Sequence, residues 1–118
     1  MEYKKVLIGL GFFFIAQSLS WVQNNSQFLS QWAKDNPIIL AGLMGIPVGV
    51  SYIYGTANLV EAFNGKLWPP RLLGFATGIF SFTFLTYIFF KEGINIKTGL
   101  TLFLASIIVL MQIFWKYE

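Results

Sequence analysis

The sequence predicts an all-α protein, an integral membrane bundle of four transmembrane helices that forms one domain. Apolar residues make up 56% of its 118 residues and charged residues only 11%, whereas a soluble domain carries about 25% charged residues. The charges are separated by four long uncharged runs, and a helix that crosses a membrane needs about 20 mostly apolar residues. The runs are too long for strands and lack their period-two alternation.

The first span is predicted at 6–22, after the charged pair Lys4 and Lys5. A few polar residues near its end dilute its apolar character. Residues 1–20 also fit a cleaved signal peptide, because a basic start and an apolar run are followed by the small-residue site 18–20. We favour a retained span and keep the signal peptide as the alternative.

The other three spans are predicted at 38–60, 72–90 and 98–115. The connections between them are polar or contain Asn and Gly, and the Pro69–Pro70 pair lies in the connection before the third span. Such residues favour chain reversals over continued helix. All four tryptophans lie at or just outside predicted span ends, where Trp is enriched at membrane interfaces: Trp21, Trp32, Trp68 and Trp115.

The distribution of Lys and Arg predicts the orientation. With four spans, both termini lie on the same side as the middle connection. That side holds five of the eight basic residues, and the other side holds three. The two groups are Lys4, Lys5, Lys66, Arg71 and Lys116 against Lys34, Lys91 and Lys97. The positive-inside rule then places both termini in the cytoplasm, in a plasma or inner membrane. The small difference also leaves insertion in both orientations open.

Small residues recur along the second and third spans. Gly45 and Gly49 lie on one stripe of the second span, and Gly74 and Gly78 form a GxxxG pattern in the third. Such stripes favour close helix packing in lipid, and the alternative is a cavity that admits a substrate. Pro47 removes a backbone hydrogen bond inside the second span, so we expect either a packing bend or a gating hinge there.

The composition excludes several functions. There is no His and no Cys, and no motif supplies a nucleophile with a base or a set of metal ligands. We therefore expect no enzyme, no metal and no cofactor. The net charge of +3 is small and scattered, so we expect no nucleic acid partner. Four polar residues within the spans can face the bundle interior and are predicted to bind a substrate: Gln17, Tyr52, Asn58 and Ser81.

The third and fourth spans carry a family resemblance. The stretch Phe89-Phe90-Lys91-Glu92-Gly93-Ile94 is followed by Thr98-Gly99-Leu100 and by the apolar run 107–110. This pattern resembles the closing hairpin of the drug/metabolite transporter superfamily, and the chain length is similar to that of its small multidrug resistance type. The resemblance implies a membrane carrier that works as a dimer, often an antiparallel one.

The first span departs from that family. Its proton-coupled members use a Glu in the middle of the first helix, and this chain has Gln17 at about that depth. The resemblance therefore implies a carrier that lies in the lipid bilayer and lacks that proton site. Its expected substrate is an uncharged or lipid-like small molecule. A structural or accessory subunit of a membrane complex is the alternative, supported by the lack of buried charge. A pore former of the holin type ranks last, because the tail 116–118 is only weakly charged.

Overall fold

A computed structural model describes residues 2–115, and these residues contain helices but no strand. A 3-10 turn, Ser26–Phe28, lies in the first connection. The α-helices are α1 (Tyr3–Asn25), α2 (Gln31–Asp35), α3 (Pro37–Ala62), α4 (Trp68–Phe90) and α5 (Ile96–Phe114). Four helical segments are long and apolar enough to cross a membrane: Tyr3–Phe28, Pro37–Ala62, Trp68–Phe90 and Ile96–Phe114.

The prolines and an asparagine explain where the long helices begin. Pro37 opens α3, and Pro69 and Pro70 lie in the first turn of α4. The Pro69–Pro70 pair was predicted in the connection and lies instead within α4. The first turn of a helix tolerates Pro because its N–H groups have no partner within the helix. Asn95 precedes α5, and its side-chain oxygen accepts a hydrogen bond of 2.8 Å from the backbone N–H of Thr98.

Pro47 lies inside α3, and the helix continues on both sides of it. Because Pro has no N–H, the carbonyl four residues earlier loses its helical hydrogen bond. Pro47 is exposed, as is the neighbouring Gly45. The structure therefore places the predicted bend or hinge on an outer face of α3 and not against another helix.

Helix α1 is the centre of the fold. It packs against α3 and α4, and α5 packs mainly on α4. The order across the molecule is therefore α3, α1, α4 and α5, and the Cα atoms extend over 50 × 35 × 18 Å. Helices α3 and α4 lie on different sides of α1 and make few contacts with each other, so the arrangement is open between them.

The contact between α1 and α3 is a close crossing of two glycines. A Cβ atom on Gly9 would lie 3.1 Å from the carbonyl oxygen of Gly55, and one on Gly55 would lie 3.2 Å from the carbonyl oxygen of Gly9. On either side of the crossing, Leu59 packs over Gly9 and Phe13 packs over Gly55. Small residues allow two backbones to approach this closely, and close packing is a main source of helix association in lipid.

Hydrogen bonds join α1 to α4. The indole Nε1 of Trp21 donates to Oγ1 of Thr86 at 3.0 Å, and the rings of Phe89 and Phe90 lie beside the indole. Trp21 is only 5% exposed, so it belongs to the helix interface and not to an outer aromatic belt. Trp32, Trp68 and Trp115 are exposed.

An apolar cluster and an ion pair lie at the end of the molecule that holds the start of α1. The cluster is made by Val6, Phe13, Leu59, Ala62, Phe63 and Leu73. Beside it, Lys5 forms an ion pair with Glu61 and so connects α1 to the end of α3. The crossing of α1 and α3 brings these two residues together.

The glycine crossing predicts a clear difference between glycine substitutions. We expect Gly55→Ala to lower the free energy of unfolding by about 1–3 kcal/mol, the usual cost of overpacking, because the added Cβ lies 2.5 Å from Phe13. The matched control is Gly45→Ala in the same helix, where the added Cβ has no described atom within 4 Å apart from its chain neighbours and the adjacent backbone of α3. Denaturation in detergent, followed by circular dichroism, measures both. Equal stability of the two variants would contradict the crossing.

Candidate functional site

The open side of α1 contains a groove between α3 and α4 with a volume of about 990 Å³. We call this the α1 groove. Phe13 and Gln17 of α1 form its floor, and Tyr52 and Thr56 of α3 form one wall. The opposite wall comes from α4 and its N-cap, and includes Leu67, Pro70, Arg71, Gly74, Phe75, Gly78, Ile79, Phe82 and Thr83. Three residues at the start of α5 complete it: Lys97, Thr98 and Thr101.

The α1 groove follows most of the length of α4. Its lining on that wall runs from Leu67 to Thr83, a distance of about 24 Å at the helical rise of 1.5 Å per residue. Phe75 and Phe82 are both more than half exposed, so the groove is open along one side. A ligand can therefore enter from the side as well as from an end.

Gln17 is fixed in the floor of the groove by α4. Its side-chain Nε2 donates a hydrogen bond of 2.9 Å to the carbonyl oxygen of Gly74. The same oxygen also accepts a bond of 3.0 Å from the hydroxyl of Thr77. The amide oxygen of Gln17 has no hydrogen bond to any residue in the described part of the chain, which leaves an acceptor for a ligand.

Two glycines of α4 make room for this arrangement. A Cβ on Gly78 would lie 2.9 Å from the amide group of Gln17, and a Cβ on Gly74 would lie 3.4 Å from the ring of Phe13. The GxxxG pair of α4 therefore contacts α1. Three glycines of α3 differ, since a Cβ built on Gly42, Gly45 or Gly49 has no described atom within 4 Å apart from its chain neighbours and the adjacent backbone of α3.

The wall made by α3 supplies hydroxyl groups. Tyr52 packs beside Phe13 with the ring centroids 6.0 Å apart, and Thr56 follows one turn later in α3. Neither hydroxyl is hydrogen-bonded to a residue within 2–115. Both side chains are half-buried, so they can donate to or accept from a molecule in the groove.

The structure places the four predicted binding residues in two different settings. Gln17 and Tyr52 line the α1 groove. Asn58 does not line it, and its Nδ2 donates a bond of 2.8 Å to the carbonyl oxygen of Tyr54 in its own helix. Ser81 also lies outside the groove lining. It is buried, and its hydroxyl has no partner among the described residues.

The groove also includes residues that were not predicted to bind a substrate. Thr56 lies four positions after Tyr52, so the helical repeat was a sufficient signal for it. Arg71 and Lys97 also line the groove, although neither was predicted as a binding residue. Their approach to one groove depends on how α5 packs against α4, and a single sequence carries no signal for that packing.

The lining is mainly apolar, and its polar groups include none that acts readily as a base. It contains hydroxyls, one amide and two cationic side chains, and no carboxylate of the described residues lines it. Within the described residues, no group of three or more His, Cys, Asp or Glu could hold a metal ion. The chemistry that this arrangement supports is binding through hydrogen bonds, apolar contact and positive charge.

No family model, no curated protein and no solved structure matches the chain. The resemblance to drug/metabolite transporters therefore depends on the sequence features of the closing hairpin alone.

Gln17 and Gly78 are expected to be energetically coupled. We expect Gly78→Ala to lower the free energy of unfolding by about 1 kcal/mol, the net value of one hydrogen bond, because the new methyl group displaces the Gln17 amide from Gly74. In a Gln17→Ala background, where no amide has to move, the same substitution should cost much less. A double-mutant cycle of unfolding free energies measures this coupling, and strictly additive effects would contradict it.

Proposed function

We propose that this chain is a multi-pass membrane protein that carries an uncharged or lipid-like small molecule along the α1 groove, and that it works as a dimer. The observation that supports a carrier best is the groove itself, whose volume of about 990 Å³ lies at the upper end of the range for small-molecule sites, roughly 300–1,000 Å³. It follows an apolar helix that is long enough to cross a membrane.

The lining supports carriage over catalysis. Hydroxyls from Tyr52 and Thr56 and the amide of Gln17 can orient a ligand by hydrogen bonds. Activation of a hydroxyl as a nucleophile requires an adjacent base, and none of the carboxylates in the described part of the chain lies in the lining. The groove therefore supports reversible binding without a covalent step.

The open side of the groove supports a dimer. In a membrane, its exposed aromatic residues Phe75 and Phe82 would face lipid or a second copy of the chain. Gly42, Gly45 and Gly49 form an unoccupied small-residue face on α3, and such faces allow close helix packing in lipid. Dimers are also what the resemblance to the small multidrug resistance type implies.

A non-transporting accessory subunit is the second candidate. The same unoccupied face of α3 favours it, because a helix of a larger membrane complex can pack there as readily as a second copy. This alternative assigns no ligand to the groove. A variant that fills the groove should then leave function unchanged, whereas Gly45→Leu on the outer face should release the partner.

We further propose that both termini face the cytoplasm. The ion pair between Lys5 and Glu61 supports the shared position of the N-terminus and the α3–α4 connection at one end of the molecule. Reporters fused after the last residue, one active in the cytoplasm and one active outside, measure the orientation. We expect the cytoplasmic reporter to give signal. Signal from both would indicate dual insertion and an antiparallel dimer, and signal only from the outside reporter would contradict the proposal.

Filling the groove tests the carrier function. We expect Thr56→Trp to abolish movement of a fluorescent lipid across the membrane of proteoliposomes, because Thr56 forms part of the groove wall. The matched control is Ile53→Trp in the same helix, where the side chain is 68% exposed and lies outside the groove lining.

The assay uses an uncharged fluorescent glycolipid and an anionic fluorescent phospholipid, each followed by chemical quenching from outside the vesicle. The proposal requires the protein to move at least one probe faster than protein-free vesicles do. Equal rates with and without protein for both probes, or equal rates for the two Trp variants, would contradict it.

A further inference from the structure

We infer that the ligand of the α1 groove is an amphipathic anion from the membrane, with a phosphate or carboxylate group held at the Arg71 or Lys97 end and an apolar chain along α4. This inference rests on the proposed function and specifies its substrate class. It follows from the charges of the groove, from the absence of an ion pair at either charge within residues 2–115, and from the apolar surface between them.

The charge of the lining has one sign. Among residues 2–115, Arg71 and Lys97 are the only charged residues that line the α1 groove. They are contributed by the first turns of α4 and α5, and these turns lie at opposite ends of the antiparallel pair. Each end of the groove therefore offers a cation to a ligand, and a guanidinium or ammonium group binds phosphate and carboxylate through charge-assisted hydrogen bonds.

Neither cation has a partner that explains its position. Within residues 2–115, neither Arg71 nor Lys97 forms an ion pair, whereas Lys5 pairs with Glu2 and Glu61. A positive charge in the first turn of a helix is also unfavourable for the helix itself, because the free N–H groups there already make that end positive. These two residues thus add positive charge at two positions where helix stability disfavours it.

The surface between the two cations suits an apolar chain. On α4 it consists mainly of Gly74, Phe75, Gly78, Ile79 and Phe82, which offer rings, an aliphatic group and two gaps without side chains. From Arg71 to Thr83, the last α4 residue of the lining, this surface extends about 18 Å at the helical rise of 1.5 Å per residue, which is more than a phosphate group needs. A small water-soluble anion would leave this surface uncovered, so the geometry favours a ligand with a long chain.

The α3 wall offers contacts for the head group between the two ends. The hydroxyls of Tyr52 and Thr56 have no partner in the described chain and lie on the groove side. A hydroxyl donates to an anionic oxygen as well as to a neutral one. The head group can therefore move between Arg71 and Lys97 with hydrogen-bond donors along its path.

The test measures binding of three fluorescent probes with the same long alkyl chain to the purified chain in lipid nanodiscs. The probes are an alkyl phosphate, its uncharged dimethyl ester and the corresponding alkyl trimethylammonium. The key variant is the double substitution Arg71→Gln/Lys97→Gln. The control is Lys66→Gln/Lys91→Gln, which removes the same charge from exposed residues outside the groove lining.

We expect the alkyl phosphate to bind at least about tenfold more tightly than the dimethyl ester, the difference expected for one charge-assisted hydrogen bond. The groove double variant should lose this preference and keep its affinity for the ester, while the control keeps both affinities. An excess of inorganic phosphate should displace the alkyl phosphate only weakly.

Three results would overturn the inference while leaving the proposed function in place. The first is equal binding of the alkyl phosphate and its ester, with both lost in Thr56→Trp. The second is tighter binding of the trimethylammonium probe than of the alkyl phosphate. The third is a loss of the preference for phosphate in the control double variant that equals the loss in the groove double variant. Efficient displacement by inorganic phosphate would overturn the assignment to a membrane amphiphile. If no probe binds the wild-type chain and none is moved in proteoliposomes, the proposed function fails as well.

Discussion

The close crossing of Gly9 and Gly55 is the constraint on which the rest of the structure depends. In lipid there is little hydrophobic force between helices, so their association requires close contact of backbones and side chains. The reciprocal approach of each glycine to the other's carbonyl oxygen lets Leu59 and Phe13 interlock across the crossing. The same crossing brings Lys5 to Glu61. Helix α3 is thus fixed to one side of α1, and α4 must use the other side.

The groove is a consequence of this arrangement. Because α3 and α4 both pack on α1 and contact each other little, the space between them is filled by neither helix. Gln17 then has two roles, since its Nε2 holds α4 in place through Gly74 and its amide lines the groove floor. A Glu at this position could not donate that hydrogen bond when ionised, which gives a structural reason for an amide at the depth where proton-coupled carriers have an acid.

The sequence predicted well where the helices lie, but it predicted poorly which residues of different helices pack against each other. Long uncharged runs are sufficient to locate four helices, and proline chemistry accounts for the earlier start of α4 at Trp68. Helix pairing depends on which small residues face each other. Gly55 lies outside the stripe of Gly45 and Gly49, yet Gly55 makes the tight contact and the stripe has no neighbour in the described chain. For the same reason the polar residues Gln17 and Tyr52 meet in one groove, whereas Asn58 bonds to its own helix.

Thiol accessibility shows whether the α1 groove is an open path within a membrane-spanning fold. The chain has no cysteine, so Thr56→Cys and Thr83→Cys each place one thiol in the groove lining. The controls Ile53→Cys and Phe84→Cys lie at exposed apolar positions of the same helices, where lipid should exclude water. A charged, water-soluble thiol reagent should label the two groove variants in proteoliposomes and leave the controls unlabelled. Equal labelling of all four variants, or none in the groove, would contradict the account.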